Sequence, residues 1–212
     1  MIRARKGPSS KKLSYFLLYK PYGVLCQFTG EPGRRTLKDF GPFSSDIYPV
    51  GRLDTDSEGL LFLTNDGQTK HLLLEPRFGH PRTYLVQVER VPTEDALQKL
   101  RTGVIIEGRK TRRAAVELLT GDPPVPPRDI PIRFRKNVPT AWLELTLTEG
   151  RNRQVRKMTA SVGHPTLRLI RTAIGPLTLS GLKPGEHRPL SAEEIQSLLS
   201  FADQSLPSPL KT

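Results

Sequence analysis

The alternation of hydrophobic and polar positions along the chain predicts a set of short β-strands. Residues 84–89 and 143–147 alternate with the period of two that places apolar side chains on one face of a strand. Residues 15–19 form a strand-like run, and the apolar run at 59–63 predicts a buried strand. Shorter extended segments are predicted at 24–28, 47–50, 104–106 and 114–118, the last two as a strand pair.

Helices are predicted where start and stop signals enclose apolar positions with helical spacing. They run from Asn65-Asp66-Gly67 to near Pro76, from Thr93 to Gly103, from 151 to 162 before Gly163, and from Ser191, with Glu194 in a capping box, through Leu199. Because strands and helices are mixed without a regular strand–helix–strand order, the predicted fold class is α+β. We expect a mixed, largely antiparallel sheet with flanking helices and loops.

Length and composition indicate the domain organisation. The chain has 212 residues, of which 36% are hydrophobic and 25% charged, and this suits one folded domain, predicted over residues 14–202. Two sublobes around a cleft fit the same pattern. Residues 1–13 are predicted to form a flexible basic arm and residues 203–212 a flexible tail. Residues 122–137 read as an exposed loop rich in proline and basic residues.

The net charge narrows the classes of partner. Thirty-three Lys and Arg against twenty-one Asp and Glu give a formal charge of +12. Such an excess favours polyanions, and RNA or DNA is the partner that it indicates. No apolar run approaches the roughly 20 residues that a membrane-spanning helix requires, so a membrane protein is excluded.

Cysteine and histidine residues are too few and too scattered for a metal centre. Cys26 is the single cysteine, so neither an intramolecular disulfide nor a cysteine-based zinc site can form. The four histidines show no pair at metal-binding spacing, and no glycine-rich phosphate loop is present. We therefore expect no metal and no cofactor. The lone cysteine also fits a reducing, cytoplasmic location.

The most informative segment is the loop at 51–59, which carries Asp54, Asp56 and Glu58 beside Arg52. A solvated acidic loop is one interpretation of it. A calcium loop is another, although its second half lacks ligands at the required spacing. The third interpretation is chemical, because a loop carboxylate that a neighbouring arginine holds ionised can act as a nucleophile or a base.

Three motifs in this chain, taken together, resemble a known enzyme family. They are Lys20-Pro21-Tyr22-Gly23-Val24-Leu25, the segment GRLDTDSEGLL at 51–61 followed by LTNDG at 63–67, and the segment EGRNRQVRKM at 149–158. Later segments agree, including Val162-Gly163-His164-Pro165, Leu169-Ile170-Arg171 and Ile174-Gly175. The family is that of the pseudouridine synthases related to the ribosomal small-subunit enzyme RsuA. The resemblance covers residues 15–190 and implies the pseudouridine synthase fold over the predicted domain.

The resemblance implies a cofactor-free isomerisation of uridine in RNA. The reaction breaks a C–N glycosidic bond, turns the uracil and forms a C–C bond to the same sugar. A carboxylate can trap or stabilise the sugar, or remove a proton from it, and the motif assigns this task to Asp54. Whether Asp54 attacks the sugar or acts as a base stays open.

Two further catalytic positions follow from the same resemblance. Tyr84 occupies the position of a tyrosine that stacks on the flipped uracil and can help to move the C5 proton. Arg156 matches the arginine that pairs with the catalytic carboxylate. The family often has lysine two residues before the tyrosine, and this chain has Arg82 instead, which keeps the charge but changes the contact.

Basic residues in or near these motifs are the predicted RNA contacts. They are Arg52, which would enter the duplex or contact phosphate when the uridine flips out, and Arg82, Arg151, Arg153, Lys157 and Lys20. Arg151, Arg153 and Lys157 fit a solvated helix face equally well. Asp56 and Glu58 are expected to cap or brace the loop.

Two features point to the members that modify the large ribosomal subunit. They are the Gln27-Phe28-Thr29 segment and the basic, proline-rich loop, and the implied substrate is one or very few uridines in 23S rRNA. Free rRNA and an assembling large subunit both stay open as the substrate, and a monomer is expected. Three rivals remain: a basic binding protein without catalysis, a glycosylase that releases free uracil, and a nuclease.

Overall fold

The structure is a computed structural model that describes residues 12–132 and 138–203. The predicted basic arm and the C-terminal tail therefore lie almost wholly outside the described residues, as does the end of the proline-rich loop. The domain limits at 14 and 202 remain a prediction. Within the described part, no helix is long and apolar enough to cross a membrane.

The described residues contain eleven strands and four α-helices. The strands are β1 (Tyr15–Lys20), β2 (Tyr48–Pro49), β3 (Glu58–Thr64), β4 (Arg82–Glu89), β5 (Ile105–Ile106), β6 (Arg109–Lys110), β7 (Ala115–Leu118), β8 (Thr140–Leu147), β9 (Thr166–Ile174), β10 (Leu177–Thr178) and β11 (His187–Pro189). The helices are α1 (Gly67–Leu74), α2 (Glu94–Thr102), α3 (Gln154–Ser161) and α4 (Ala192–Asp203). Two short 3₁₀ helices lie at Leu37–Phe40 and Pro76–Phe78.

One large sheet of nine strands forms the centre of the molecule. Seven of its strands follow the order β11-β1-β3-β9-β4-β8-β7, while β2 pairs with β3 and β10 pairs with β9. Among the described strands, the pairing of β3 with β9 is parallel and the others are antiparallel. The predicted α+β class and largely antiparallel sheet are confirmed.

Strand β3 is buried on both faces, which explains its unbroken apolar sequence. Leu60 and Phe62 join a core cluster that includes Leu73 of α1 and Leu198 of α4. The alternate residue Leu61 faces a second cluster on the opposite side of the sheet. Because successive side chains of a strand point to opposite faces, a strand covered on both sides needs apolar residues at every position.

A third cluster lies under the other half of the sheet. Apolar residues of β4, β7, β8 and β9 pack there against α2 and α3, with Leu100 and Met158 fully buried. The alternation at 143–147 has its predicted consequence, because Leu143, Leu145 and Leu147 all enter this cluster. These contacts place the N-terminal end of α3 beside the acidic loop that precedes β3.

The helix caps agree closely with the sequence. Thr93 accepts a hydrogen bond from the Ala96 backbone and begins α2, which ends before Gly103. Asp66 caps α1 through the Gln68 and Thr69 backbones. Ser191 and Glu194 form both bonds of the predicted capping box of α4, which runs to Asp203 rather than Leu199.

One predicted extended segment and one predicted strand pairing are wrong. Residues 24–28 form no strand, because after Gly23 (φ 79°) the chain is held in a loop whose Leu25 makes one isolated bridge to Thr36. The segments at 104–106 and 114–118 do not pair with each other. The left-handed turn at Glu107 and Gly108 instead folds β5 back onto β6, and β7 pairs with β8.

Helix α3 also begins later than predicted, at Gln154 instead of residue 151. Arg153, the residue before it, has left-handed backbone angles (φ 51°, ψ 35°) and makes no side-chain cap. This conformation is uncommon and costly for a residue other than glycine, and residues held in strained conformations cluster at functional sites. It turns the chain immediately beside the acidic loop.

Candidate active site

The acidic loop between β2 and β3 holds Asp54 at the wall between two clefts. The first cleft has a volume of about 410 Å³, and its lining includes Asp54, Tyr84, Arg82, Arg171 and Arg153. The side chain of Asp54 is 38% exposed, so its carboxylate is open to a ligand. The structure thus brings the predicted catalytic aspartate and tyrosine into one cleft.

A second cleft of about 430 Å³ lies on the other side of the same loop. Asp54, Arg52 and Arg153 line it together with residues of the Lys-Pro-Tyr-Gly turn. Arg128 of the proline-rich loop lies over the ring of Tyr22, 4.0 Å from its centroid, at the edge of this cleft. Asp54 therefore lines an open cleft on each side of the loop.

The floor of the first cleft comes from neighbouring strands of the sheet. Tyr84 on β4 and Arg171 on β9 are partners in the antiparallel register. Arg171 also faces Gly59 in the parallel register of β3 with β9. Paired residues of adjacent strands point to the same face, so Arg171 lies between the acidic loop and the tyrosine.

Gly59 is required by this close approach of two strands. A Cβ atom at Gly59 would lie 2.3 Å from the carbonyl oxygen of Arg171, and the glycine has φ +105°. Other L-residues rarely adopt that backbone angle, and the space would be blocked as well. The glycine that ends the acidic motif therefore lets β9 join β3 next to the site.

Arg153 brings its guanidinium into contact with Asp54. Its Nη1 atom lies 3.5 Å from Asp54 Oδ2 and donates to Asp56 Oδ1 at 3.0 Å, while Nη2 donates to Asp56 Oδ2 at 2.9 Å. The bidentate pair with Asp56 fixes the guanidinium at the rim shared by both clefts. Arg153, immediately before α3, thus links two carboxylates of the loop.

Arg156 contacts a different carboxylate from the one predicted. Its Nη2 atom donates to the backbone carbonyl of Asp56 at 2.6 Å, and its Nε atom lies 3.4 Å from Asp56 Oδ2. The predicted pairing with Asp54 is therefore corrected to Asp56. Residues 54 and 56 are two apart in a loop, and the sequence does not determine which of them turns towards α3.

Asp56 braces the loop, as the sequence predicts. Partial burial alone would raise the pKa of its carboxyl, but the hydrogen bonds from Arg153 and the charge of Arg156 outweigh it. The pKa of Asp56 consequently lies below its ordinary value. The ionised carboxylate holds both arginines, and through them α3, against the loop that carries Asp54.

Glu58 forms a buried ion pair at the start of β3. Both of its oxygens accept hydrogen bonds from Arg168 of β9 at 2.8 Å, and the Glu58 side chain is 2% exposed. Arg168 also donates to the carbonyl of Pro126 in the proline-rich loop at 2.9 Å. The acidic loop, β9 and the proline-rich loop therefore meet at one guanidinium.

Lys20 was predicted as an RNA contact, and its burial contradicts this. Its side chain is 0% exposed, and Nζ donates to the carbonyls of Pro21 and Val24 at 3.0 and 2.9 Å. The ammonium holds the turn in which the Gly23 N–H donates to Thr55 of the acidic loop at 2.8 Å. Lys20 is a structural residue behind the site.

The other predicted RNA contacts differ in how exposed their side chains are and in how many contacts they make within the protein. Arg52 is exposed and lines both clefts. Arg151 donates to the carbonyls of Ile106 and Arg109 and so holds the β5–β6 hairpin. Lys157 pairs with Glu107 at 2.6 Å, and Arg82, half-buried in the first cleft, reaches the Leu73 carbonyl at 3.3 Å. Geometry thus favours Arg52 and Arg153 at the open rim.

No group of three or more His, Cys, Asp or Glu side chains in the described part of the chain is arranged to hold a metal ion. Two residues that sequence reasoning missed are Arg168 and Arg171. Arg171 lies in the quoted Leu169-Ile170-Arg171 segment, and the signal that could have singled it out is a charge inside an apolar strand. Its pairing with Tyr84 depends on the register of the sheet, which the sequence does not reveal.

Comparison with known proteins agrees with this geometry. The family described as RNA pseudouridylate synthase matches residues 14–161. The chain belongs to the RNA pseudouridylate synthase family. The matched residues include the acidic loop, Tyr84 and all of α3, while β9, which carries Arg171, lies beyond the matched range. The resemblance to RsuA-related enzymes in the sequence is confirmed.

Individual relatives place the chain more closely within this family. It is 56% identical over 170 residues to the ribosomal large subunit pseudouridine synthase E of Xanthomonas axonopodis pv. citri, covering 79% of this chain and 89% of that protein. The synthase E of Vibrio vulnificus is 48% identical over 189 residues, 89% of this chain and 80% of the relative. A solved pseudouridylate synthase structure superposes with a TM-score of 0.74 at 30% identity, covering 88% and 74% of the two chains.

Proposed function

We propose that this protein isomerises uridine to pseudouridine in the RNA of the large ribosomal subunit. Membership of the RNA pseudouridylate synthase family gives the reaction. The names of the relatives at 48–56% identity, large subunit pseudouridine synthase E, give the class of RNA. The target is one uridine, or very few, in 23S rRNA. The enzyme works in the cytoplasm as a monomer, on free rRNA or on an assembling subunit.

One observation carries the mechanism: Asp54 and Tyr84 line the same cleft. A uridine flipped into this cleft places its sugar at the Asp54 carboxylate and its base at the Tyr84 ring. Asp54 attacks the sugar carbon or removes one of the sugar's protons, and Tyr84 stacks on the uracil while the uracil turns. Arg153 orients the carboxylate from 3.5 Å. Arg156 acts through Asp56 as a positioning residue.

The exposed arginine Arg52 takes the RNA backbone or fills the gap that the flipped uridine leaves. Extruding a base costs a few kcal/mol of stacking and pairing, which contacts of this kind offset. Arg52 lines both clefts, so it lies where the strand passes from one side of Asp54 to the other. Arg153 presents a second cation at the same rim.

The decisive experiment maps pseudouridine in ribosomal RNA from cells that lack the protein and are complemented with wild type, Asp54→Asn or Asp95→Asn. Asp95 is a matched control, because it is an exposed aspartate on α2 whose surface pair with Lys99 lies away from both clefts. We expect one 23S site to vanish in the deletion. Wild type and Asp95→Asn restore it, and Asp54→Asn does not, although it binds rRNA as wild type does.

Other outcomes would identify the rivals. An unchanged pseudouridine map would move a binding protein without catalysis to the front. Release of free uracil by the purified protein would indicate a glycosylase, because an isomerase keeps the base on its sugar. Strand cleavage would indicate a nuclease. Restoration of the site by Asp54→Asn would remove Asp54 from the chemistry.

A further inference from the structure

Arg171 is a buried cation at the floor of the first cleft that the proposed catalytic set leaves unused. It is 3% exposed and lines the cleft together with Asp54 and Tyr84. Its Nε atom donates to the Leu60 carbonyl at 2.8 Å, which holds the guanidinium in place. Its Nη2 atom is buried and has no hydrogen-bond partner among the described residues.

An unpartnered donor of this kind is unusual in a folded protein. Buried polar groups are nearly always hydrogen-bonded, and an exception calls for a functional explanation. The charge of Arg171 makes the missing partner more significant, because burying an unpaired cation is far more costly than burying a neutral donor. Among the described residues no carboxylate forms an ion pair with Arg171, whereas Arg168, on the same strand, is fully paired with Glu58.

Arg82 places a second guanidinium in the same cleft. It precedes Tyr84 by two residues on β4, lines the cleft, and contacts the Leu73 carbonyl at 3.3 Å. Burial lowers the pKa of Arg82, and the nearby charge of Arg171 lowers it further against an opposing influence of Tyr84. Two cations that repel each other beside an aromatic ring form a site for negative charge.

The reaction generates negative charge at this point. When the C1′–N1 bond breaks, its electron pair leaves with the uracil, and the charge spreads over N1, O2 and O4. Asp54 then acts on the electron-poor sugar, either by attacking its carbon or by removing one of its protons. The turned uracil then bonds C1′ through C5, the C5 proton is removed and N1 gains a proton, so the product is an isomer of the substrate.

We propose that Arg171 and Arg82 form the anion site for the detached uracil, donating N–H groups to its carbonyl oxygens while Tyr84 stacks on the ring. The inference rests on the proposed isomerisation. Arg171 is placed for it by the register that pairs it with Tyr84 and Gly59. Preorganised donors aimed at charge that develops in the transition state are among the most effective catalytic devices.

The test compares leaving groups of different stability. Single-turnover rates of glycosidic cleavage are measured on a large-subunit rRNA fragment that the wild type modifies, carrying uridine or 5-fluorouridine at the target. Fluorine stabilises the uracil anion. The cleavage rate of a variant that lacks the anion site therefore depends more strongly on the fluorine than the wild-type rate does. We expect Arg171→Met to slow uridine cleavage by about 100- to 1000-fold. The factor by which it slows 5-fluorouridine cleavage should be smaller by at least about 10-fold.

Controls separate this role from a structural one. The ratio of the two rates is internal to one preparation, so partial misfolding of a buried-site variant does not change it. Arg171→Lys keeps the charge and should shift the ratio less than Arg171→Met, while Arg82→Met should shift it in the same direction. Arg188→Met removes a charge that is paired with Glu194 away from the cleft and should leave rates and ratio unchanged.

Three results would overturn the proposal. Equal slowing of both substrates would make Arg171 a purely structural residue. A raised KM with weaker salt dependence and unchanged cleavage rates would assign the guanidinium to a backbone phosphate. If the wild type formed no pseudouridine in ribosomal RNA, the proposed function would fail, and the anion site would fail with it.

Discussion

Lys20 has a structural role instead of the RNA-binding role that the sequence predicts. A lysine in a basic protein is expected at the surface, yet this ammonium is fully buried and bonded to two carbonyls of its own turn. Burial lowers the pKa of Lys20 to about 8, while the nearby carboxylates Glu58, Asp56 and Asp54 act in the opposite direction. The turn it holds braces the acidic loop through Gly23.

Replacement of Lys20 should change how stability depends on pH. The folded pKa of about 8 lies below the ordinary value of 10.5, so the unfolded chain binds the proton more tightly. Below pH 8 the folded state bears the whole cost of the buried charge, and the cost disappears as pH rises towards 10.5. Wild type should therefore gain up to about 3 kcal/mol over this range, a gain that Lys20→Met lacks.

Urea denaturation of both proteins between pH 7 and pH 10 measures this difference. The upper limit matters because burial raises the pKa of Tyr15 and of Tyr19 to about 12, and their ionisation in the unfolded chain opposes the trend above pH 10. Parallel curves for wild type and Lys20→Met would show that the ammonium keeps its ordinary pKa in the folded protein.

At this scale the sequence located residues better than it located their partners. The motifs named Asp54 and Tyr84, and the structure brings both to one cleft. They also named Arg156, but its partner proved to be Asp56. Arg171 went unassigned, because its position beside Tyr84 follows from strand register, and register depends on contacts between distant parts of the chain.

Among the elements, the parallel pair of β3 and β9 is the one on which the site depends most. It is joined at Glu58 and Arg168, whose two hydrogen bonds of 2.8 Å lie out of contact with water. Removing one partner of a buried pair leaves an uncompensated charge, which costs about 3–5 kcal/mol. Replacing both by apolar residues costs much less.

A double-mutant cycle tests this junction. Arg168→Met and Glu58→Leu should each lower the free energy of unfolding by about 3–5 kcal/mol, and the double variant should lose clearly less than their sum. Chemical denaturation of the four proteins gives the coupling free energy. Strictly additive losses would mean that the two side chains stabilise the sheet independently, despite their bidentate contact.

Elements with strong local signals were predictable, and those that depend on turns were not. Helix α2 lies between Thr93 and Gly103 as predicted, because a cap and a terminating glycine act within a few residues. The pairing at 104–106 failed because Glu107 and Gly108 form a left-handed turn. A glutamate rarely adopts such angles, so its sequence gave no warning.

For the whole molecule, the dominant property is a formal charge of +12. A charge of this size attracts RNA from a distance and should make affinity fall steeply with salt, because phosphate binding releases counterions. Four basic residues, Arg3, Arg5, Lys6 and Lys11, belong to the predicted N-terminal arm, outside the described residues. Their contribution can be separated from that of the clefts.

A variant that carries glutamine at these four positions should bind an rRNA fragment more weakly, with a shallower dependence of log Kd on log salt. Each lost contact with single-stranded RNA lowers the slope by about 0.7. The cleavage rate at saturating RNA should stay unchanged, since no described residue of either cleft is altered. Binding titrations at several salt concentrations measure the slope, and an identical slope would show that the arm does not touch RNA.

The order of strands in the sheet has a consequence for the newborn protein. Strands β3 and β4 follow each other in the sequence, yet β9, made much later, lies between them. A ribosome therefore releases Asp54 and Tyr84 well before the strand that joins them, and until then their facing strand edges have no partner. A nascent chain that stops before Thr166 therefore carries Asp54 and Tyr84 but lacks the strand that places Arg171 between Gly59 and Tyr84.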